Sequence, residues 1–162
     1  NKFCQKDTDA RWTKKRGKSY FGYKNHIVCS TNNQFIVSYG VTDASVHDSQ
    51  IIDDILPENT KQLYGDSAYR SENISNILKE MGCRNMVHHR KYRNKPLTKE
   101  EILSNRYKSK TRVKVEHVFS WFRNMMNREL ELRCIGIDRV NFHIGIKNTI
   151  YNMLKFISIK SA

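Results

Sequence analysis

Residues 61–81 read KQLYGDSAYRSENISNILKEM and combine the two periodicities that decide the fold class. Residues 61–65 predict a short strand that leads into Asp66, whereas residues 71–81 predict a helix that Gly82 ends. The apolar face of this helix consists of Ile74, Ile77, Leu78 and Met81. A strand followed by an amphipathic helix predicts a layered α/β domain.

The sequence before this segment predicts an antiparallel hairpin. Residues 20–30 alternate partly, residues 34–41 are rich in Val, Ile and aromatic side chains, and residues 31–33 (Thr-Asn-Asn) carry a turn signal between them. A short helix is expected to follow, with Asp48 or Ser49 as its N-cap.

The second half of the chain predicts one more strand and two helices. The expected elements are a strand at 85–89, a basic loop at 90–100, a long helix at 99–127 that breaks near Asn105, an extended segment at 129–134 and a helix at 138–157. The apolar side of the last helix consists of Ile146, Ile150, Met153, Leu154 and Ile157. The whole order indicates a mixed α/β plan that several folds share.

The chain is strongly basic. Its 162 residues suit one domain, and 29 Lys and Arg against 16 Asp and Glu give a net charge of +13. Such a balance favours a polyanionic partner, and a nucleic-acid backbone is the commonest one. The alternative is a basic surface that only aids solubility. Residues 1–19 are polar and basic and are interpreted as an N-terminal arm or connector.

Other classes are disfavoured by the same composition. No apolar run approaches the ~20 residues that a membrane span needs, and no signal peptide is visible. The four cysteines include no closely spaced pair, which disfavours a zinc site and favours reduced thiols in a cytosolic protein. We therefore expect a cytoplasmic protein and no membrane partner.

A carboxylate at the end of the predicted strand is a candidate metal ligand. Asp66 lies where a short buried strand ends, so its side chain is expected to point into a crevice. Hard divalent ions prefer oxygen ligands, and phosphodiester chemistry with two such ions needs converging carboxylates. The alternative is that Asp66 only caps the turn before the next helix.

A second carboxylate lies on the predicted long helix, within RVKVEHVFSWFR at residues 112–123. At about 100° per residue, Glu116 lies at the border of the apolar stripe and is expected to face the sheet edge. Arg112 and Arg123 flank it and are placed to hold DNA phosphates. The alternative is a surface ion pair between Arg112 and Glu116. The apolar stripe consists of Val115, Val118, Phe119, Phe122 and Met126.

Several motifs in order resemble the insertion-sequence transposases of the IS-five group, within the IS-four-like superfamily. They are VTDASVHDSQ at residues 41–50, YGDSAYRS at 64–71 and RVKVEHVFSWFR at 112–123, preceded by DTDARWTKKRGKSYFGYKNH at 7–26. The similarity covers nearly the whole chain, and several motifs at the right spacing are far more specific than any one of them.

The resemblance implies a ribonuclease-H-like fold, a mixed sheet flanked by helices and here lacking its first strand, with a triad of two aspartates and a glutamate (DDE) that binds Mg2+. By motif match, Asp66 is the second acid and Glu116 the third, and both would hold the metals. In this group the last acid lies in a Tyr-x2-Arg-x3-Glu-x6-Lys pattern. Arg112 matches it, whereas Ser109 stands at the Tyr position and Arg123 at the Lys position.

The first acid of the triad has no counterpart that we assign. The family places it on a strand upstream of the hairpin, and this chain looks as if it begins after that strand. Asp7 and Asp9 lie in a polar stretch with no strand before them, and Asp48 is interpreted as a helix cap. On this interpretation residues 1–162 form a single partial catalytic domain.

A basic run is a candidate DNA contact. The side chains expected to follow the DNA backbone are Arg90, Lys91, Arg93 and Lys95. The alternative is a solvated charged loop. The resulting hypothesis is a DNA transposase that binds terminal inverted repeats and target DNA as a homodimer in a synaptic complex. A non-catalytic DNA-binding remnant of a degenerate element is the alternative, and a ribonuclease-H-like nuclease without a transposition role is a third interpretation.

Overall fold

The structure, a computed structural model, describes residues 6–15, 17–125 and 134–161. Its elements are β1 Arg11–Lys15, β2 Lys18–Cys29, β3 Ile36–Asp43, α1 Ile52–Ile55, β4 Gln62–Leu63, α2 Glu72–Glu80, β5 Arg84–Asn85, α3 Lys99–Met125 and α4 Ile137–Lys160. The described strands form an antiparallel sheet in the order β1-β2-β3 and a parallel pair, β4-β5. The expected mixed α/β class is confirmed. Met126 of the apolar stripe and residues 129–133 of the expected extended segment lie outside the described residues.

The predicted hairpin is present as β2 and β3. Tyr23 pairs with Asp43 and Val28 with Ser38 in an antiparallel register. The connection is closed by the Ser30 amide, which donates to the Phe35 carbonyl at 2.8 Å, and Gln34 takes a positive φ of 62°. The turn signal in the sequence therefore identified the reversal of the chain.

The expected basic arm contains a strand that its composition does not suggest. β1 pairs antiparallel with the first half of β2, from Arg11 opposite Gly22 to Lys15 opposite Lys18. Gly17, next to the turn, has a φ of 80°, which glycine adopts without steric cost. The strand was missed because its side chains are mostly polar, so no apolar alternation marks it.

The parallel pair extends beyond the residues that form regular strands. The Arg84 amide donates to the Lys61 carbonyl at 2.9 Å, and the His88 amide donates to the Gly65 carbonyl at 3.1 Å. The predicted strands at 61–65 and 85–89 are therefore reproduced in their hydrogen bonds. The core beneath the pair consists of Ile52, Leu56, Leu63, Ile74, Leu78, Cys83 and Val87.

Of the two short helices, α2 begins and ends as predicted, whereas the predicted cap of α1 is wrong. α2 begins as predicted, because the Ser71 hydroxyl accepts a hydrogen bond from the Ile74 amide at 3.2 Å, and Gly82 follows it with a φ of 63°. The assignment of Asp48 or Ser49 as an N-cap is wrong. His47 caps a 3-10 turn at Asp48–Gln50, and α1 has no side-chain cap.

Helix α3 is continuous through Asn105, so the expected break there is wrong. The Asn105 side chain accepts from the His89 amide at 2.8 Å and donates to the His89 carbonyl at 3.1 Å. A side chain that is paired in this way does not compete for the backbone of its own helix. Val118 and Phe122 anchor the far end of α3 against Ile36 in a second core cluster.

The buried side of α4 differs from the one that its periodicity indicates. The buried residues are Val140, Ile144, Asn148 and Tyr151, whereas Ile146, Ile150, Met153, Leu154 and Ile157 are between 39% and 62% exposed. Polar anchors fix the packed side: Asn152 bonds both the amide and the carbonyl of Ile36, at 2.9 and 2.8 Å. None of the described helices is long and apolar enough to cross a membrane.

Helix α4 approaches the sheet closely at Gly145, where a Cβ would lie 2.5 Å from the Tyr39 hydroxyl. We expect Gly145→Ala to destabilise the chain by about 1 kcal/mol, since overpacking exceeds the gain in helix propensity. Urea denaturation measures the change. Adding Tyr39→Phe, which removes the obstructing oxygen, should recover part of the loss. If Gly145→Ala alone stabilises the chain, α4 does not approach the Tyr39 hydroxyl this closely.

Candidate active site and nucleic-acid interface

Asp66 lies immediately after the parallel ladder, next to buried Gly65. Its Oδ1 accepts a hydrogen bond from the Ala68 amide at 2.8 Å, and it caps a 3-10 turn at Ser67–Tyr69. The side chain is exposed. The two interpretations of Asp66, strand end and turn cap, are therefore compatible. One carboxylate oxygen holds the turn, which leaves Oδ2 as the oxygen best placed to ligate a cation.

The tight turn after the strand depends on Gly65. A Cβ on this residue would lie 3.1 Å from the ring of Tyr69, closer than most such contacts. The ring of Tyr69 packs against the core beneath the parallel pair, and burial raises the pKa of its hydroxyl, with Asp48 and Asp66 adding to the rise. The position of Asp66 is thus set by a packed aromatic ring as well as by its own hydrogen bond.

His88, on the neighbouring strand, lies between Asp66 and the long helix. Burial lowers the pKa of His88, the positive charges of Arg112 and Lys108 lower it further, and Asp66 opposes the change. The His88 Nε2 lies 3.3 Å from the Ser109 hydroxyl of α3. Asp66 on the strand side and Arg112 on the helix side are therefore both within electrostatic reach of one imidazole.

Two polar side chains fasten α3 to the strand that carries His88. The Lys108 Nζ donates to the Val87 carbonyl at 3.0 Å, and Asn105 pairs with the backbone of His89 in both directions. Lys108 is only 7% exposed, and burial lowers the pKa of its ammonium group. Because Asn105 and Lys108 are three residues apart on one helix face, they hold His89 and Val87, the two residues that flank His88.

Glu116 lies farther along the same helix, seven residues beyond Ser109 and hence about 10 Å along the axis. Its Oε1 is 2.6 Å from the Arg112 guanidinium, in an i, i+4 pair whose side chains are 50% and 28% exposed. The surface pair weighed as the alternative is therefore present. An exposed pair of this kind stabilises a helix by only a few tenths of a kcal/mol, which leaves Glu116 available for other partners.

Arg112 also has a buried hydrogen-bond donor, which a surface ion pair alone does not explain. Its Nε is buried and finds no hydrogen-bond partner among the residues that the structure describes. A buried donor without a partner is costly and calls for an explanation, such as an anion that is not part of the chain. Arg123, eleven residues and about three turns beyond Arg112 on the same face of α3, is exposed to solvent near the end of the helix.

The donor set that the sequence predicts for a divalent metal consists of two carboxylates, Asp66 and Glu116. Within residues 6–15, 17–125 and 134–161, no three His, Cys, Asp or Glu side chains cluster in a way that could hold an ion. Two carboxylates still fit a hard ion such as Mg2+, which commonly takes one or two carboxylates and completes its shell with water and substrate phosphate. Asp66 and Glu116, the ligands that the sequence predicts, are both exposed.

The basic loop before α3 has a defined turn. Tyr92 and Lys95 exchange backbone hydrogen bonds at 3.3 and 3.2 Å, and the Arg90 guanidinium lies 5.9 Å from the centre of the Tyr92 ring. The side chains that the sequence singled out, Arg90, Lys91, Arg93 and Lys95, are all exposed. This loop leads directly from His89 into α3, so its cations lie beside the candidate site along the chain.

Sequence analysis missed the polar side chains that join these elements. They are Asn105, Lys108 and His88, together with the ion pair of Lys24 and Asp48 at 3.2 Å. The charge of Asp48 also acts on Tyr69, so the motif around Asp48 reaches the turn that carries Asp66. The i, i+3 spacing of Asn105 and Lys108 indicates that the two side chains share one face of α3. Their partners, however, are backbone atoms, which no sequence pattern identifies.

Comparison with known proteins reveals relatives over most of the chain. A family model described as a transposase DDE domain matches residues 2–153. The chain is 31% identical over 153 residues to a transposase for insertion sequence element IS1106 of Neisseria meningitidis serogroup B, a match that covers 93% of this chain and 52% of that protein. The chain therefore spans about half the length of the curated relative that it matches. No solved structure matches the chain with statistical significance.

The chain belongs to the DDE transposase family, and the resemblance noted in the sequence is confirmed. Members of this family are DNA transposases of insertion sequences, and they use divalent metal ions in general. The net charge of +13 accords with this membership.

Proposed function

We propose that this member of the DDE transposase family binds DNA at the ends of an insertion sequence and takes part in metal-dependent cutting and joining of that DNA. The observation that carries the proposal is the position of Asp66, which follows a parallel strand and lies near His88, the residue that α3 contacts through Ser109. Glu116 lies two turns farther along α3.

Asp66 and Glu116 are the carboxylates that would hold Mg2+. When bound, divalent ions activate the attacking oxygen and stabilise the leaving oxygen of a phosphodiester. The chain's own groups have supporting roles in this proposal. The Ala68 amide fixes Asp66. The buried Nε of Arg112 would orient the guanidinium toward a DNA phosphate, while another nitrogen of the same guanidinium pairs with Glu116. Arg123 would hold a second phosphate.

The reaction expected of the whole protein has two steps. Water attacks a phosphodiester at the end of the element and leaves a 3′-OH, and that 3′-OH then attacks a phosphodiester of the target DNA. Each step exchanges one P–O bond for another, so no external oxidant or reductant is needed. Loss of divalent-metal-dependent cleavage of element-end DNA on replacing Asp66 or Glu116 is the direct test.

The finer fold that we propose is a ribonuclease-H-like mixed sheet. The antiparallel set β1-β2-β3 and the parallel pair β4-β5 would become one sheet if a further strand lay between β2 and β4. On this proposal residues 1–162 form one partial catalytic domain, in which residues 1–19 are a basic arm. We also infer that two copies act together in a synaptic complex with terminal inverted repeats and target DNA, within the cytoplasm at the bacterial nucleoid.

A non-catalytic DNA-binding protein is the second candidate. The Arg112–Glu116 ion pair favours it, because a glutamate that serves only to stabilise a helix would look the same in the absence of metal. The two candidates share DNA binding and differ in cleavage. A chain that binds DNA but shows no metal binding that depends on Asp66 and Glu116 would support the second.

DNA binding by the chain should be strongly salt-dependent, because cations that contact phosphates release counterions. Arg93→Glu with Lys95→Glu should weaken binding several-fold and reduce the slope of log affinity against log salt by about two. Fluorescence anisotropy at several salt concentrations measures both quantities.

The matched control for this variant has the same change in net charge elsewhere. Lys61 and Lys79 are exposed and lie away from the loop along the chain. Lys61→Glu with Lys79→Glu should leave the slope nearly unchanged. Equal losses in the two double variants would show that only net charge matters, and a flat salt dependence of the wild type would rule out backbone binding.

A further inference from the structure

A two-stranded basic ribbon, formed by β1 and the first five residues of β2, has no role in the site described above. It comprises residues 11–15 and 18–22, and residues 11–22 contain no carboxylate. Lys14, Lys15 and Lys18 are exposed near its turn. A run of cations without an acid among them has the charge that a nucleic-acid strand complements.

The ribbon also exposes three aromatic side chains. Trp12 is 58% exposed, Tyr20 51% and Phe21 39%. Trp12 and Phe21 are cross-strand partners, and their ring centroids are 5.2 Å apart at an interplanar angle of 48°. Large apolar rings in solvent are unfavourable, so a contiguous exposed pair on a basic element indicates a surface that is covered by a partner.

The geometry places cations beside these rings. Alternate residues of a strand share a face, so Lys14 lies on the face of Trp12 and Phe21, whereas Lys15 and Lys18 lie on the face of Tyr20. Each face of the ribbon therefore offers an aromatic ring and an ammonium group at the spacing of neighbouring strand positions. This combination of ring and cation is what single-stranded nucleic acid binds, through stacked bases and neutralised phosphates.

The base of the ribbon is held to the rest of the chain. Asp7, only 9% exposed, accepts hydrogen bonds from the Tyr23 hydroxyl at 2.7 Å, the Ala10 amide at 3.2 Å and the Gly136 amide at 3.3 Å. β3 ends at Asp43 opposite Tyr23, so residues 18–22 of β2 pair with β1 and extend past the three-stranded part of the sheet. The ribbon is thus an anchored projection.

We propose that this ribbon binds DNA that has unpaired bases, with Trp12 and Phe21 stacking on bases and Lys14, Lys15 and Lys18 contacting phosphates. The inference rests on the proposed function, since it names the form of DNA that the transposase recognises. A duplex groove also admits a two-stranded ribbon, but base edges in a groove are read by hydrogen-bonding side chains. Trp12 and Phe21 offer exposed aromatic rings, which stack on base faces, and bases expose those faces only when they are unstacked.

The test compares a blunt DNA duplex with the same duplex that carries a single-stranded tail of about eight nucleotides, a length within the range of such sites. The tail should raise the affinity of the wild-type chain by about tenfold. Trp12→Ala and Phe21→Ala should abolish most of that gain and leave blunt-duplex affinity within about twofold. Phe142→Ala, a control that removes a 66% exposed ring on α4, should retain the gain.

Tryptophan fluorescence provides an independent readout. The chain has two tryptophans, and Trp121 packs against Phe122 and Tyr151 in the core. Tailed DNA should quench the emission of the wild type and of Trp121→Phe, but not that of Trp12→Phe. Circular dichroism of each variant verifies that the fold is retained.

The outcomes separate this inference from the function on which it rests. If the wild type binds no DNA, the proposed function fails. If it binds duplex with a steep salt dependence but gains nothing from the tail, the ribbon proposal alone is overturned. Equal losses of blunt and tailed affinity in Trp12→Ala would also overturn it, because they would assign the ribbon to duplex DNA.

Discussion

In the whole protein, Asp66→Asn and Glu116→Gln are each expected to abolish divalent-metal-dependent cleavage of element-end DNA. Each replacement keeps the size of the side chain and removes the negative oxygen that a hard ion needs. Even residues behind a metal ligand change metal affinity or activity by ten- to a hundredfold, so loss of a ligand should exceed about a hundredfold. A plasmid cleavage assay in Mg2+ and in Mn2+ measures this loss.

The same substitutions should weaken metal binding, which can be measured without cleavage. Titration of Mn2+ into the chain with DNA present, followed by electron paramagnetic resonance, should show weaker binding in both variants. Asp54→Asn on α1 and Glu100→Gln at the start of α3 remove exposed carboxylates elsewhere and serve as controls. If all four variants bind Mn2+ as tightly as the wild type does, Asp66 and Glu116 are not its ligands.

The experiment also separates a ligand from a surface pair at Glu116. If Glu116 served only Arg112, then Glu116→Gln would cost a few tenths of a kcal/mol of stability and leave cleavage unchanged. If Glu116 is a metal ligand, Glu116→Gln should abolish cleavage while the free energy of unfolding changes little. The two hypotheses therefore predict opposite patterns in cleavage and agree on stability.

Local signals in the sequence predicted the elements that local chemistry determines. The hairpin of β2 and β3 followed from its turn residues, and α2 followed from the Ser71 cap and Gly82. The expected apolar side of α4 faces solvent, because the packed side is set by Tyr151 and Asn152, which bond to the Gln34 and Ile36 backbone. Periodicity identifies an apolar face and does not identify what covers it.

The candidate site was likewise predictable only where local sequence signals determine it. The motif order identified Asp66 and Glu116, and simple helix geometry placed Arg112 next to Glu116. The network around His88 could not be predicted, since its partners lie 16 or 21 residues apart in sequence, and Asn105 and Lys108 bond to backbone atoms. Long-range polar contacts of this kind carry no periodic signature.

Asn105→Ala is expected to destabilise the chain by about 2–4 kcal/mol, which is large for a half-buried polar residue. The substitution removes two hydrogen bonds and leaves both the amide and the carbonyl of His89 without those partners, at a cost of about 1–3 kcal/mol each. Urea denaturation with a two-state analysis measures the change. Asn124→Ala, an exposed asparagine on the same helix, should change stability by less than about 0.5 kcal/mol.

A graded variant shows which of the two bonds matters. Asn105→Asp keeps an acceptor for the His89 amide and loses the donor to the His89 carbonyl, so its cost should lie between those of the wild type and Asn105→Ala. Because Asn105 docks α3 on the strand next to Asp66, Asn105→Ala should also reduce cleavage at temperatures where the chain stays folded. Unchanged stability in Asn105→Ala would mean that α3 is held by Lys108 and the apolar contacts of Val118 alone, and that the paired side chain is incidental to the site.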